Sequence, residues 1–303
     1  MLKTHARPRG GKLGLLLATL VALPGLAHAS NAIGLYYERT VMREADGRCR
    51  LFAPEISAAL AASSLQARGA ALRSGANDGA LTAAADRARL AAFSVACNSP
   101  DLGTAANRVR KAFEGYARMS SMRFPGDLSA WQADREPTAP VVDRKAVEGP
   151  RWKLSAPGQW DGAGAGQLTL GITTAASVPT VAISKPSALQ AATAVLIVRD
   201  TSKATQAYLD PRRRDLVGHA PPRDLTRSFL AQSRQAAPAS LLPGGQGAGA
   251  MFTFPPAAAR AMEGLDPREA VTVEFIYSGL PSQRAVFEVG DFAAARAFLM
   301  AGR

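Results

Sequence analysis

Proline places the strongest constraint on this chain. Of its 20 prolines, 16 fall from Pro125 onward, and only Pro54 and Pro100 lie between Ser30 and Phe124. A proline inside a helix removes a backbone hydrogen bond and collides with the preceding turn. Long helices are therefore open to the earlier stretch and closed to the later one. Pro54 and Pro100 fit this division, because proline costs nothing at the first helical position. The chain is read as an α+β fold, with an all-α helical-hairpin or four-helix domain over 30–124 and a linker over 125–149. A mainly antiparallel, sandwich-like β domain with a C-terminal helix follows over 150–303.

Spacing of apolar residues predicts helices over 32–45, 54–74, 79–96 and 100–119. Ile56, Leu60, Ala67 and Ala71 recur at helical intervals, and Gly75 to Gly79 turns the second helix into the third. Ser99 is the expected N-cap of the fourth, ahead of Pro100 and Asp101, with Val109, Phe113 and Tyr116 as its buried stripe. Alanine supplies 62 of the 303 residues and dominates these helices, so their contact faces bury little area each.

The first 29 residues have the parts of a secretory signal: Lys3, Arg7, Arg9 and Lys12 without an acid, an apolar stretch from Leu13 to Leu26, and Ala27-His28-Ala29 before Ser30. Cleavage after Ala29 and a periplasmic location are expected, with secretion as the alternative. The apolar stretch is shorter than the roughly 20 residues that span a bilayer, and no transmembrane segment is expected in the mature chain. Losing those four positive charges lowers the net charge from +12 to +8 and leaves His219 as the one histidine. In an oxidising compartment, Cys49 and Cys97 are expected to form a disulfide stapling the helices.

Beyond the linker, the hydrophobic period changes to two. Leu168, Leu170 and Ile172 alternate with smaller polar residues, Val195 to Val198 is a short buried run, and Val271 to Tyr277 and Ala285 to Val289 predict an antiparallel hairpin. Asp291 is placed to cap a final helix whose apolar side carries Phe292, Ala295, Phe298 and Leu299. The run Val286 to Phe292, a strand leading into a short helix, resembles the closing layout of exported β-sandwich proteins of the invasion-associated locus B type. What that implies is architecture, with no function or site.

Reactive groups are scarce. Two cysteines and one histidine cannot complete a four-ligand zinc site, no G-x-S-x-G elbow occurs, and the glycine clusters at 162–166 and 244–249 lack the phosphate-loop spacing. No cofactor or metal is expected. Glu274 and Glu288 alternate with apolar neighbours and are read as outward-facing. The one basic cluster, Arg212, Arg213 and Arg214 with His219 and Arg223, is a candidate anion site, since guanidinium groups grip phosphate or carboxylate bidentately. Asp210, Asp215 and Asp224 offset it. Charge is otherwise spread, +5 in 30–124 and +3 in 125–303, without interleaved aromatics, which argues against nucleic acid. The expectation is a non-enzymatic binding protein of the cell envelope with a protein or envelope partner. The alternative is a periplasmic ligand-binding protein or hydrolase with a site near residues 210–227.

Overall fold

The computed structural model describes residues 24–135, 152–162, 167–173, 179–184, 191–210, 212, 215–237 and 249–300. Four helices come first: α1 (Pro24–Cys49), α2 (Pro54–Arg73), α3 (Asp78–Ser94) and α4 (Pro100–Ala112). Their ends follow local chemistry. Pro54 and Pro100 open α2 and α4. Asn77 caps α3 by accepting the Ala80 N–H at 2.8 Å. Gly75, at φ +94°, closes α2 in a Schellman turn, where the Ala76 N–H reaches the Ala71 carbonyl and the Gly75 N–H the Leu72 carbonyl, each at 3.0 Å.

The strands form two antiparallel sheets. One has the order β1 (Ser121–Pro125), β2 (Ala130–Arg135), β3 (Trp152–Pro157), β5 (Gln167–Thr173), β6 (Pro179–Ser184), β10 (Ala250–Thr253) and β9 (Ser233–Ala236). The other runs β4 (Gln159–Asp161), β12 (Leu280–Glu288), β11 (Ala270–Tyr277), β7 (Ala191–Arg199) and β8 (Thr226–Leu230). The expected hairpin is β11 with β12, paired Ala270 to Glu288 through Phe275 to Gln283. Leu154, Leu170 and Ile172 of the first sheet share one buried cluster with Leu196, Val273 and Phe275 of the second. Phe252 meets Phe275 across the sheets at 5.8 Å between ring centroids. This is the sandwich core. A short helix, α5 (Pro256–Glu263), precedes the hairpin, and α6 (Phe292–Met300) closes the chain.

The helices stack outward from the sandwich. α6 lies on β1 and β2, with Phe292 against Trp131 at 5.0 Å and Phe298 against Phe124 at 5.9 Å. α2 covers α6, α1 covers α2, and α3 is outermost, packed on α1. The α3 face consists of Leu81, Ala84, Ala88 and Ala92, all buried. Cys49 at the end of α1 is bonded to Cys97 just beyond α3, with Cα atoms 5.5 Å apart. Arg48 adds a second tie, donating to the Ala92 carbonyl at 2.8 Å and to that of Val95, where a cation complements the helix dipole. No helix among the described residues is long and apolar enough to cross a membrane.

The structure differs from the sequence reading at several points. α1 runs from Pro24 through the expected cleavage point to Cys49. α4 stops at Ala112, because Gly115 takes φ +84° and turns Tyr116 into a short 3-10 turn. Its buried residues are Leu102 and Ala106, while Phe113 and Tyr116 of the expected stripe pack on the core from beyond its end. Ser99 precedes α4 without a side-chain capping bond. Residues 125–149, expected as a linker, contain β2, whose Trp131, Ala133 and Arg135 point inward; 136–149 lie outside the described residues. Asp291 does not cap α6 with its side chain, which turns to Arg73 instead.

Candidate functional site

The arginine cluster can be followed at three of its five positions; Arg213 and Arg214 lie outside the described residues. Arg212 is exposed, and its backbone N–H bonds the Asp210 carboxylate at 2.9 Å. His219 ends a 3-10 turn that Asp215 starts by accepting the Gly218 N–H at 3.0 Å. The half-buried His219 ring donates from Nδ1 to the Arg268 carbonyl at 2.9 Å. Arg223 has a 68% exposed side chain and pairs with Glu274 at 3.1 Å, a carboxylate shared with Arg284 and Ser282. Arg212, His219 and Arg223 thus take separate partners, and none of these contacts joins one to another.

The carboxylates that lie deepest are committed to architecture. Glu288 is buried, not outward as its alternation suggested, and receives the backbone N–H groups of Asp127, Leu128 and Ser129 in the β1–β2 turn. Gly126 makes room for it, since a Cβ there would stand 2.5 Å from the carboxylate. Asp291 is gripped by both terminal nitrogens of Arg73, at 2.5 and 3.0 Å, locking the end of α2 to the start of α6. Burial raises the Asp291 pKa, and Arg73 opposes this. Glu269 takes Nε and Nη2 of Arg199, each at 2.8 Å, and burial raises its pKa against the pull of Arg199. Asp266 is also pushed up by burial, but bonds from the Arg268 side chain and backbone outweigh this and hold it below the ordinary value. Arg135 is buried with no carboxylate partner among the described residues. It donates to the carbonyls of Met119, Phe298 and Tyr116 and lies 3.9 Å from the Phe298 ring centroid. Among the described residues no group of three metal-ligating side chains converges.

What remains uncommitted is surface, and the outward face of α3 stands out. Leu90 is 72% exposed and Phe93 67%, three residues apart, with Arg48 of α1 held 5.9 Å from the Phe93 ring centroid. Asp86, Arg87 and Arg89 edge this pair, Arg89 bonding Asp86 at 2.9 Å. Sequence reasoning passed these residues by, although the signal was present. The buried stripe at 81, 84, 88 and 92 leaves two large apolar side chains off the core face. Comparisons with family models, with curated proteins and with solved structures return no match to this chain.

Proposed function

We propose that the chain is an exported, non-catalytic protein of the cell envelope, cleaved after Ala29, that acts in the periplasm by binding a protein partner through the outward face of α3. The observation that carries this reading is the exposure of Leu90 and Phe93 on the outermost helix. An apolar centre with a charged rim is the anatomy of a protein interface. The disulfide and the Arg48 cap hold that helix rigidly on α1, which lowers the ordering cost of binding. Commitment of Glu269, Glu288 and Asp291 to buried structural bonds supports the non-catalytic part of the reading. The disulfide supports export, since such bonds persist in oxidising compartments.

The test is a photocrosslinking residue placed at position 90 or 93 in the producing cell, with position 87 on the charged rim and position 280 on the far hairpin as controls. A discrete adduct from 90 and 93 that is absent from 280, and lost with Leu90→Glu in a 93-labelled chain, is the expected outcome. Equal labelling from position 280, or no adduct from either apolar position, removes the interface. N-terminal sequencing of the protein recovered from the envelope fraction should begin at Ser30, and an intact Met1 start would remove the export step.

A further inference from the structure

A separate feature lies where α2 faces the end of α4. Where α4 ends and the chain turns into β1, α1 and α2 do not close against the turn, leaving a cleft of about 210 Å³. The α2 wall is small, Ala59 and Ala62, and the facing wall is large and apolar, Phe113, Tyr116 and Met122. Arg39 of α1 and Glu114 stand among the polar lining. The cleft exists because of sequence. Alanine on α2 fills less space than a larger side chain would, and Gly115 turns the chain away beyond the end of α4.

Arg39 and Tyr116 are the polar-tipped residues of interest in this lining. The half-buried Arg39 guanidinium gives Nη1 to the Ser63 carbonyl at 2.6 Å and has no ion pair with a carboxylate among the described residues. Tyr116 is only 7% exposed, and its hydroxyl has no hydrogen-bond partner among the described residues. That hydroxyl is sealed from the cleft, so Arg39 is the polar group a ligand there would meet. Burial lowers the Arg39 pKa, and the charge of Glu38 opposes this. Burial likewise pushes the Tyr116 pKa up to about 12, so its hydroxyl stays a neutral donor. Glu114 is exposed and its charge is screened by water, which leaves Arg39 as the charge felt inside.

We propose that this cleft binds a small apolar monocarboxylate, its carboxylate on the Arg39 guanidinium and a ring-sized body between α2 and the Phe113–Met122 wall. Size and chemistry agree. A cavity of about 150 Å³ accommodates benzene, so this one holds a ring with a short acid-bearing arm. Guanidinium and carboxylate form the strong, charge-assisted bond that a half-desolvated site favours. Met122 and the exposed Met119 at the mouth can adjust to the shape of the body, as unbranched thioethers do.

The experiment is calorimetric titration of the oxidised protein with 3-phenylpropanoate and with its neutral counterpart 3-phenylpropan-1-ol, followed by NMR of methionine methyl groups. The acid should bind saturably and at least about tenfold more tightly than the alcohol, the factor a charge-assisted bond contributes. It should shift the Met119 and Met122 methyl signals and leave those of Met251 and Met262 in place. Arg39→Gln should abolish the preference for the acid. Ala62→Phe, which fills the cleft, should remove binding of both compounds; if that variant does not fold, the methyl shifts still locate the site. Equal affinity for acid and alcohol, unaltered binding in Arg39→Gln, shifts confined to other methionines, or no saturation up to the solubility of the acid each overturn the proposal.

Discussion

Gly69 stands in the middle of α2, in a run otherwise rich in alanine, and a methyl group there would overlap the Oδ1 of Asp291. The glycine lets α6 begin close enough for Arg73 to hold Asp291 with two bonds. Its replacement sets two effects against each other. Gly→Ala in a helix interior favours folding by roughly 1 kcal/mol, while forcing an atom into a filled contact costs about 1–3 kcal/mol. Gly69→Ala should therefore gain nothing and lose up to about 2 kcal/mol in urea denaturation. Gly103→Ala in α4, where nothing lies within 4 Å of the new methyl, should gain about 0.5–1 kcal/mol. A gain at both positions would show that Asp291 does not need that gap. The same carboxylate has a pH signature. Its pKa is raised in the folded protein by burial, so the native state holds its proton longer than the unfolded chain. Its contribution is therefore fully present below the ordinary value of 3.8 and is lost as pH rises through the folded value. Asp266 has the opposite sign, since its folded value lies below 3.8 and its contribution is lost on acidification. Comparing wild type with Asp291→Asn by urea denaturation from pH 4 upward, the stability advantage of wild type should shrink as pH rises. An advantage that grows with pH would mean that Arg73 overcomes burial.

At the scale of elements, α3 is the weakly anchored piece. It packs mainly on α1, through one leucine and three alanines, so the Cys49–Cys97 bond carries a large share of its attachment. With the cysteines 48 positions apart in sequence, the chain-entropy estimate is about 4 kcal/mol. Cys49→Ser should lower stability by about that amount, and hydrogen exchange should show α3 amides losing protection while those of β11 keep theirs. Uniform loss across both would mean that the bond supports the whole core. The stapled helices and the β11–β12 hairpin were legible because they depend on local pattern: Asn77 and Gly75 punctuate the helices, and Val271, Val273 and Phe275 alternate. β1 and β2 were not legible. Trp131 and Ala133 are separated by polar Gln132 amid a proline-bearing stretch, and they become strand residues only because α6, some 160 positions on, covers them. Glu288 and Asp291 were misjudged for the same reason. Alternation and cap position describe a side chain's own element, whereas the Asp127–Ser129 turn and Arg73 that claim these carboxylates are remote in sequence. The candidate arginine cluster could not be judged from sequence, because Glu274, which takes Arg223, lies 51 residues away.

Across the whole molecule, the division at Pro125 marks a change of structural class without marking a gap in the core. Ala59 and Ala62 of α2 and Tyr116 belong to the same buried cluster as Phe275 and Leu170 of the sandwich. Proline composition reports what each segment can become locally, and it is silent on which segments bury one another. The seam is tied by polar contacts as well. Arg73 meets Asp291 across it, and Arg135 of β2 bonds the carbonyl of Tyr116 on one side and that of Phe298 in the last turn of α6 on the other. Cutting at the compositional boundary would remove β1 from β2, take α2 off α6 and break the Arg73–Asp291 tie, and each large apolar side chain returned to water costs about 1.5–3 kcal/mol. Against total stabilities of about 5–15 kcal/mol for ordinary domains, these losses together should prevent independent folding. A fragment of residues 126–303 should therefore lack the near-ultraviolet circular dichroism of packed Trp131 and Trp160 and should bind a hydrophobic dye. The intact chain should unfold with coincident transitions in tryptophan fluorescence, which reports the sandwich, and far-ultraviolet circular dichroism, which reports mainly the helices. Two separated transitions, together with a natively folded fragment, would make the seam an ordinary contact between autonomous domains.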